Sequence, residues 1–93
     1  MSSFGDIPRI NDTALRQLVD AKRDALLIFH SDTCPHCKTD QFRNKAIQLA
    51  QQATVPAASF NVNKYGHGMP RTFNIEYVPT IVTVKGGKIT NTH

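Results

Sequence analysis

Residues Ala25-Leu26-Leu27-Ile28-Phe29 are apolar at every position. A strand with one wet face would alternate, and five residues are too few for a buried helix. The run therefore predicts a strand covered on both faces, as in the middle of a parallel sheet. Such a strand needs helices on both sides of the sheet, and the flanking sequence supplies them. Asn11 to Lys22 is predicted helical, with Asn11 or Asp12 as its cap and Leu15, Leu18 and Val19 on one face. After the strand comes Ser31-Asp32-Thr33-Cys34-Pro35-His36-Cys37, and a second helix is predicted from Pro35 to about Ala53. Phe42, Ala46, Leu49, Ala50 and Ala53 keep helical spacing there. Pro35 fits a first turn because its missing N–H would have no partner in any case.

Pro56 closes that helical region, and Ala57 to Val62 reads as the next strand. Gly66, Gly68 and Pro70 leave room only for a short helix near Pro70 to Asn74. Thr80 to Val84 is a third strand, and Gly86-Gly87 is a hairpin signal between it and Lys88-Ile89-Thr90. A further edge strand at Ile7 to Ile10 is weakened by Pro8. The expected fold class is α/β: one domain over residues 1–93, a mixed sheet of four strands (five with the edge strand) and flanking helices.

Composition removes several function classes. The chain carries 11 Lys+Arg against 7 Asp+Glu, a net charge of +4, but the basic residues are scattered and not interleaved with aromatics. A solvated mixed surface is expected, and no nucleic-acid partner. A spanning helix needs about 20 apolar residues, so no membrane partner is expected either. Met1 to Ile10 lacks a basic cluster followed by an apolar stretch, so the expected location is the cytoplasm. Two cysteines cannot build a disulfide-rich scaffold.

The placement of Cys34-Pro35-His36-Cys37 matters more than its letters. It lies where a buried strand feeds a predicted helix N-terminus, with unpaired N–H groups and the positive end of the helix dipole. Both favour a thiolate over a thiol at Cys34. Protonated His36 would add positive charge, and its ring could donate to the Cys34 sulfur. Cys37, one turn on and facing inward, could close a small disulfide ring with Cys34. The expected chemistry is thiol–disulfide exchange, with Cys34 as nucleophile and Cys37 as resolving thiol. Half a zinc site is an alternative, but the further ligands would have to come from His30, His36, His67 and His93, and no second Cys-x-x-Cys or His-x-x-x-His exists. Two inert buried cysteines, or an iron–sulfur cluster shared between chains, are weaker alternatives. No cofactor and no metal are expected.

Three separated features give the chain its resemblance to the thioredoxin superfamily: the strand–Cys34-Pro35-His36-Cys37–helix junction, Tyr77-Val78-Pro79-Thr80 at the opening of the third strand, and the Lys85-Gly86-Gly87-Lys88 hairpin. The similarity spans roughly residues 11–92. It implies a cis Val78–Pro79 bond beside Cys34, with the Val78 backbone presented to an extended substrate and Pro79 shaping the groove. Thr33 and Tyr77 are the further substrate-contact candidates, with Tyr65 a second rim residue. The sequence departs from the family in several places. Ile28 stands where the family has a buried Asp, and Ser59 where it has the partnering Lys. His30 and Thr33 replace the flanking Trp residues. The Pro-His pair is similar to that of bacterial Dsb oxidases and implies a more oxidising dithiol than typical thioredoxin. The sequence stops at His93, where the family continues into a last helix. The Ile81/Thr83 face is therefore expected to be partly exposed, or covered by a partner or a weakly associated second copy.

Two residues keep open readings. His30 is exposed or tunes Cys34, and His67, between Gly66 and Gly68, lies in a flexible loop or contacts substrate. The expected function is a small protein disulfide oxidoreductase acting on protein disulfides or dithiols, with a reductase or glutathione as electron donor. The alternatives are a glutaredoxin-like, glutathione-dependent reductase and a non-enzymatic scaffold subunit with the same fold.

Overall fold

The computed structural model describes residues 7–66 and 68–93; His67, with both of its readings, lies outside them. Asn11 is the cap of α1 (Asp12–Asp20), its side chain accepting from the Ala14 N–H. The apolar run becomes β2 (Ala25–His30), buried along its whole length. α2 (Asp40–Gln52) leads to β3 (Ala57–Asn61), two short helices α3 (Val62–Tyr65) and α4 (Gly68–Thr72), and the hairpin of β4 (Thr80–Lys85) and β5 (Lys88–Thr92). β1 (Arg9–Ile10) completes a five-stranded sheet in the order β1-β3-β2-β4-β5. β3 is parallel to both β1 and β2, whereas β4 is antiparallel to β2 and β5. The fold is α/β, a mixed five-stranded sheet flanked by helices.

The fully apolar strand is explained by its place. Leu27 and Phe29 face one core with Leu15, Phe60, Phe73, Val82 and Val84. Leu26 and Ile28 face a second core with Ala46 and Ile81, ringed by Phe42, Leu49 and Ala50 of α2. Each large side chain so buried contributes about 1.5–3 kcal/mol.

Four expectations change. The single short helix expected near Pro70 to Asn74 is instead two, α3 and α4, the second ending at Thr72 because Asn74 takes a left-handed backbone (φ 60°). The helix predicted from Pro35 to Ala53 is two pieces: a 3-10 turn at His36–Lys38, then α2 from Asp40. Thr39 separates them with extended backbone (ψ 147°), because its hydroxyl caps α2 by accepting the Phe42 N–H at 3.2 Å. Val62 opens α3 instead of ending β3, since the Asn61 side chain caps a new turn by accepting from Asn63 N–H. The Ile81 face is not left open. Ile81 is 2% exposed and packs with Leu26, Ile28 and Ala46, so the chain's own α2 covers it. Beyond it the face turns polar. Half-buried Thr83 is hydrogen-bonded to the His93 ring (2.7 Å), and its carbonyl accepts the Thr90 hydroxyl (3.3 Å).

Candidate active site

β2 delivers Ser31 to the C-terminal end of the sheet, and a tight turn begins there. The buried Ser31 carbonyl accepts the Cys34 N–H at 3.2 Å. Its hydroxyl is hydrogen-bonded to that of Thr33 (3.0 Å) and accepts the Thr33 N–H (3.3 Å). Pro35 then takes helical angles (φ −61°, ψ −39°), and its carbonyl accepts the Lys38 N–H at 3.1 Å. The fixed φ of proline suits this position, where no N–H is needed.

The two sulfurs sit in different media. Cys34 is half-buried, whereas Cys37 is 4% exposed. The Cys37 N–H donates to the Cys34 Sγ at 3.2 Å. The Cys34 Sγ also lies 3.7 Å from the Val78 carbonyl oxygen, 44 residues on in sequence. The Val78–Pro79 peptide is cis, and Thr80 fixes the turn by donating its hydroxyl to the Tyr77 carbonyl at 2.7 Å. Burial pushes the Cys37 thiol up to about 12, reinforced by its hydrogen bond with Cys34 and opposed by one to the Ser31 backbone. One sulfur is thus reachable and receives an N–H; the other is shielded and holds its proton.

The remaining candidates divide. Thr33, Pro35 and His36 are exposed around Cys34, and Val78 and Pro79 are half-buried beside it. No hydrogen bond joins the His36 ring to Cys34 among the described residues; His36 enters the site through its carbonyl, which accepts from Thr39. Tyr77 is 77% exposed and lines a cleft of about 400 Å³ with Phe73, Ile75, Glu76 and Ile89. The exposed reading of His30 is overturned: it is buried, 8% exposed, at the top of β2 opposite Asn61. Burial lowers its pKa, Asp32 raises it, and Arg9 lowers it further. Asp32 is itself held by Asn61, whose side-chain N–H donates to it at 2.9 Å.

Ile28 and Ser59 are direct partners across β2 and β3, 0% and 1% exposed. The Ser59 hydroxyl is turned to the Pro8 carbonyl at 3.4 Å. Neither member of this pair can take a proton from Cys37. Among the described residues no cluster of three or more His, Cys, Asp or Glu is placed to hold a metal. Sequence reasoning missed Ser31 and Thr39. The Thr39-Asp40 pair, a capping residue followed by an acid, was the available signal for Thr39.

A thioredoxin family profile matches residues 6–93. No curated protein sequence matches the chain closely enough to count as a relative. Among solved structures, a mutant thioredoxin from Halobacterium salinarum is similar at TM-score 0.72 and 19% identity, covering 100% of this chain and 80% of that one. Spinach chloroplast thioredoxin f (short form) gives 0.73 and 19%, covering 100% and 84%. A chain from a structural study of thiol resolving in yeast mitochondrial 1-Cys peroxiredoxin via glutathione/thioredoxin systems gives 0.75 and 20%, covering 99% and 86%.

Proposed function

Because the chain belongs to the thioredoxin family, its profile matched over residues 6–93, we propose that it is a protein disulfide oxidoreductase working through Cys34 and Cys37. The observation that carries this reading is the asymmetry of the sulfurs: Cys34 partly accessible and receiving the Cys37 N–H at 3.2 Å, Cys37 4% exposed beneath it.

In the reducing direction the Cys34 thiolate attacks one sulfur of a substrate disulfide. A new S–S bond forms, the old one breaks, and the leaving thiolate takes up a proton. Cys37 then gives up its proton and attacks the Cys34 sulfur. This forms the Cys34–Cys37 disulfide and releases the second substrate sulfur as a thiolate. With Ile28 and Ser59 where a buried acid and its lysine would stand, the departing thiolate or water receives the Cys37 proton. Protonated His36 favours the Cys34 thiolate by its charge. The Val78 carbonyl, 3.7 Å from Cys34, lies where an extended substrate strand would run beside Pro79, with Thr33 and Tyr77 on the rim.

Stabilising the reduced thiolate makes the disulfide form the stronger oxidant, so the couple is more oxidising than that of typical thioredoxins. Equilibration with glutathione tests this: a dithiol fraction no greater than an ordinary thioredoxin's in the same buffer refutes it. The proposed setting is the cytoplasm, with a reductase as electron donor. Gly86 and Gly87 form the hairpin turn itself, with φ 61° and 80°, which argues against their use in binding glutathione.

Insulin reduction by dithiothreitol tests the activity. Cys34→Ser should fall to the uncatalysed rate, and Cys37→Ser should accumulate a mixed disulfide at Cys34. No catalysis by the unaltered chain would leave the scaffold reading in place. Turnover with glutathione, but not with a flavin-dependent thioredoxin reductase, would favour the glutaredoxin-like one.

A further inference from the structure

Cys34 does not stand at the start of α2. Five residues separate them, and Thr39 breaks the helical path between with ψ 147°. The dipole of the long helix therefore does not begin at the nucleophile. A chain of hydrogen bonds connects the two instead. The Phe42 N–H, in the first turn of α2, donates to the Thr39 hydroxyl at 3.2 Å. That hydroxyl donates to the His36 carbonyl at 2.9 Å, and the Thr39 N–H approaches the same oxygen at 3.4 Å. The His36 carbonyl and the Cys37 N–H are the two ends of one peptide group, and that N–H donates to the Cys34 Sγ at 3.2 Å.

A donor on a carbonyl oxygen draws electron density from the peptide nitrogen and makes its N–H a stronger donor. Every bond in this series points the same way, from α2 toward the sulfur, so the polarisation accumulates at the atom that carries negative charge. We propose that Thr39 is a positioning residue for the nucleophile: its hydroxyl polarises and orients the His36–Cys37 peptide, so that the Cys37 N–H stabilises the Cys34 thiolate. The inference rests on Cys34 being the nucleophile, as proposed above. It gives one threonine two separable duties, accepting a bond as the cap of α2 and donating one toward Cys34.

The two duties can be tested apart on the reduced, full-length chain. Thr39→Ser keeps both. Thr39→Asp keeps an acceptor for the Phe42 N–H but has no donor, and Thr39→Ala lacks both; the readings are taken at high ionic strength, where a charge added at this exposed position is screened. The readouts are the thiolate-to-thiol ratio of Cys34 at fixed pH, from ultraviolet thiolate absorbance, and the dithiol-to-disulfide ratio in a fixed glutathione buffer. Asp and Ala should each lower the thiolate ratio about two- to fourfold, as expected when a charge-assisted bond loses a cooperative partner. Both should shift the glutathione equilibrium toward the disulfide, and Ser should match the unaltered chain. A wild-type ratio in Thr39→Asp would reduce Thr39 to a helix cap and overturn the proposal. So would a wild-type ratio in Thr39→Ala, or a loss in Thr39→Ser equal to that of Ala. Should the unaltered chain show no more thiolate than its own unfolded form at the same pH, the assignment of Cys34 as activated nucleophile fails first. That failure is recognisable because it precedes any comparison of variants.

Discussion

The two faces of the sheet are built differently. Toward α1 the core is bulky and aromatic. Phe29 meets Phe60 at 5.8 Å and Phe73 at 6.3 Å between ring centroids, and Phe60 meets Tyr65 at 5.5 Å. Toward α2 the buried set is Leu26, Ile28, Ala46 and Ile81, bordered by side chains that are only partly buried. Ala46, fully buried, lets α2 lie close to the sheet. Thr39 and the paired Ile28 and Ser59 belong to the lighter side, since Thr39 caps α2 and the pair lies on strands under it, whereas Val78 packs against the aromatic core. The aromatic face carries most of the anchoring and the lighter face most of what surrounds Cys37, and changes on each should have different consequences.

The largest effect is expected from Phe29→Ala. It removes the ring shared by two aromatic contacts and should cost about 3–5 kcal/mol of stability by urea unfolding. The glutathione equilibrium of the fraction still folded should stay put; a shift would mean that the heavy face also governs the sulfurs. On the lighter face, Ile28→Asp buries a carboxyl opposite Ser59. It should cost about 3 kcal/mol, yet speed resolution of a mixed disulfide about tenfold or more by supplying a base for Cys37. Lost stability with unchanged resolution would show that proton removal from Cys37 is not the slow step.

His30 continues the Leu26–Ile28 row and introduces a pH dependence of known sign. Its pKa is lowered, first by burial. Below the ordinary histidine value of about 6.5, the unfolded chain takes up a proton that the folded chain resists. Stability should therefore fall as pH drops through that value and level off once the folded histidine is protonated as well. Urea midpoints at about pH 7.5 and pH 5 should differ in the unaltered chain and converge in His30→Phe; equal slopes in both would place the sensitivity elsewhere. The smallest effect belongs to Thr83→Val. On the polar strip beyond Ile81 it should change stability by less than about 0.5 kcal/mol. A clear gain, or concentration-dependent dimerisation by sedimentation, would show that the strip seeks cover after all.

Much of this was legible in the chain. The unbroken apolar run at Ala25–Phe29 placed the central strand, Gly86-Gly87 placed the hairpin, and the Asn11-Asp12 pair placed the start of α1 to within one residue, because each rests on a local rule. The break at Thr39 was hidden by periodicity. Phe42, Ala46, Leu49 and Ala50 keep helical spacing, and extrapolating it back to Pro35 overlooks one hydroxyl that accepts from α2 and donates to the preceding turn. The parity of β4 gave the two sides of Ile81 and Val82 correctly. It could not say what would cover Ile81, because the approach of α2 depends on Ala46, which comes near only in the folded chain. The burial of His30 is likewise a tertiary outcome, set by the neighbours of β2 and not by its own segment.

Far from the sulfurs, the β4–β5 turn is fastened to the α1–β2 junction. Asp24 accepts the Gly86 N–H at 2.9 Å, and a Cβ on Gly87 (φ 80°) would stand 3.0 Å from the Val19 carbonyl oxygen. At the other end, near Thr92, β5 is held within the hairpin, by its ladder with β4, the His93 N–H to the Ile81 carbonyl and the bonds of His93 and Thr90 to Thr83. Only the root of the edge strand is also tied to another part of the sheet's surroundings, so amides near Lys88 should take up deuterium more slowly than those near Thr92.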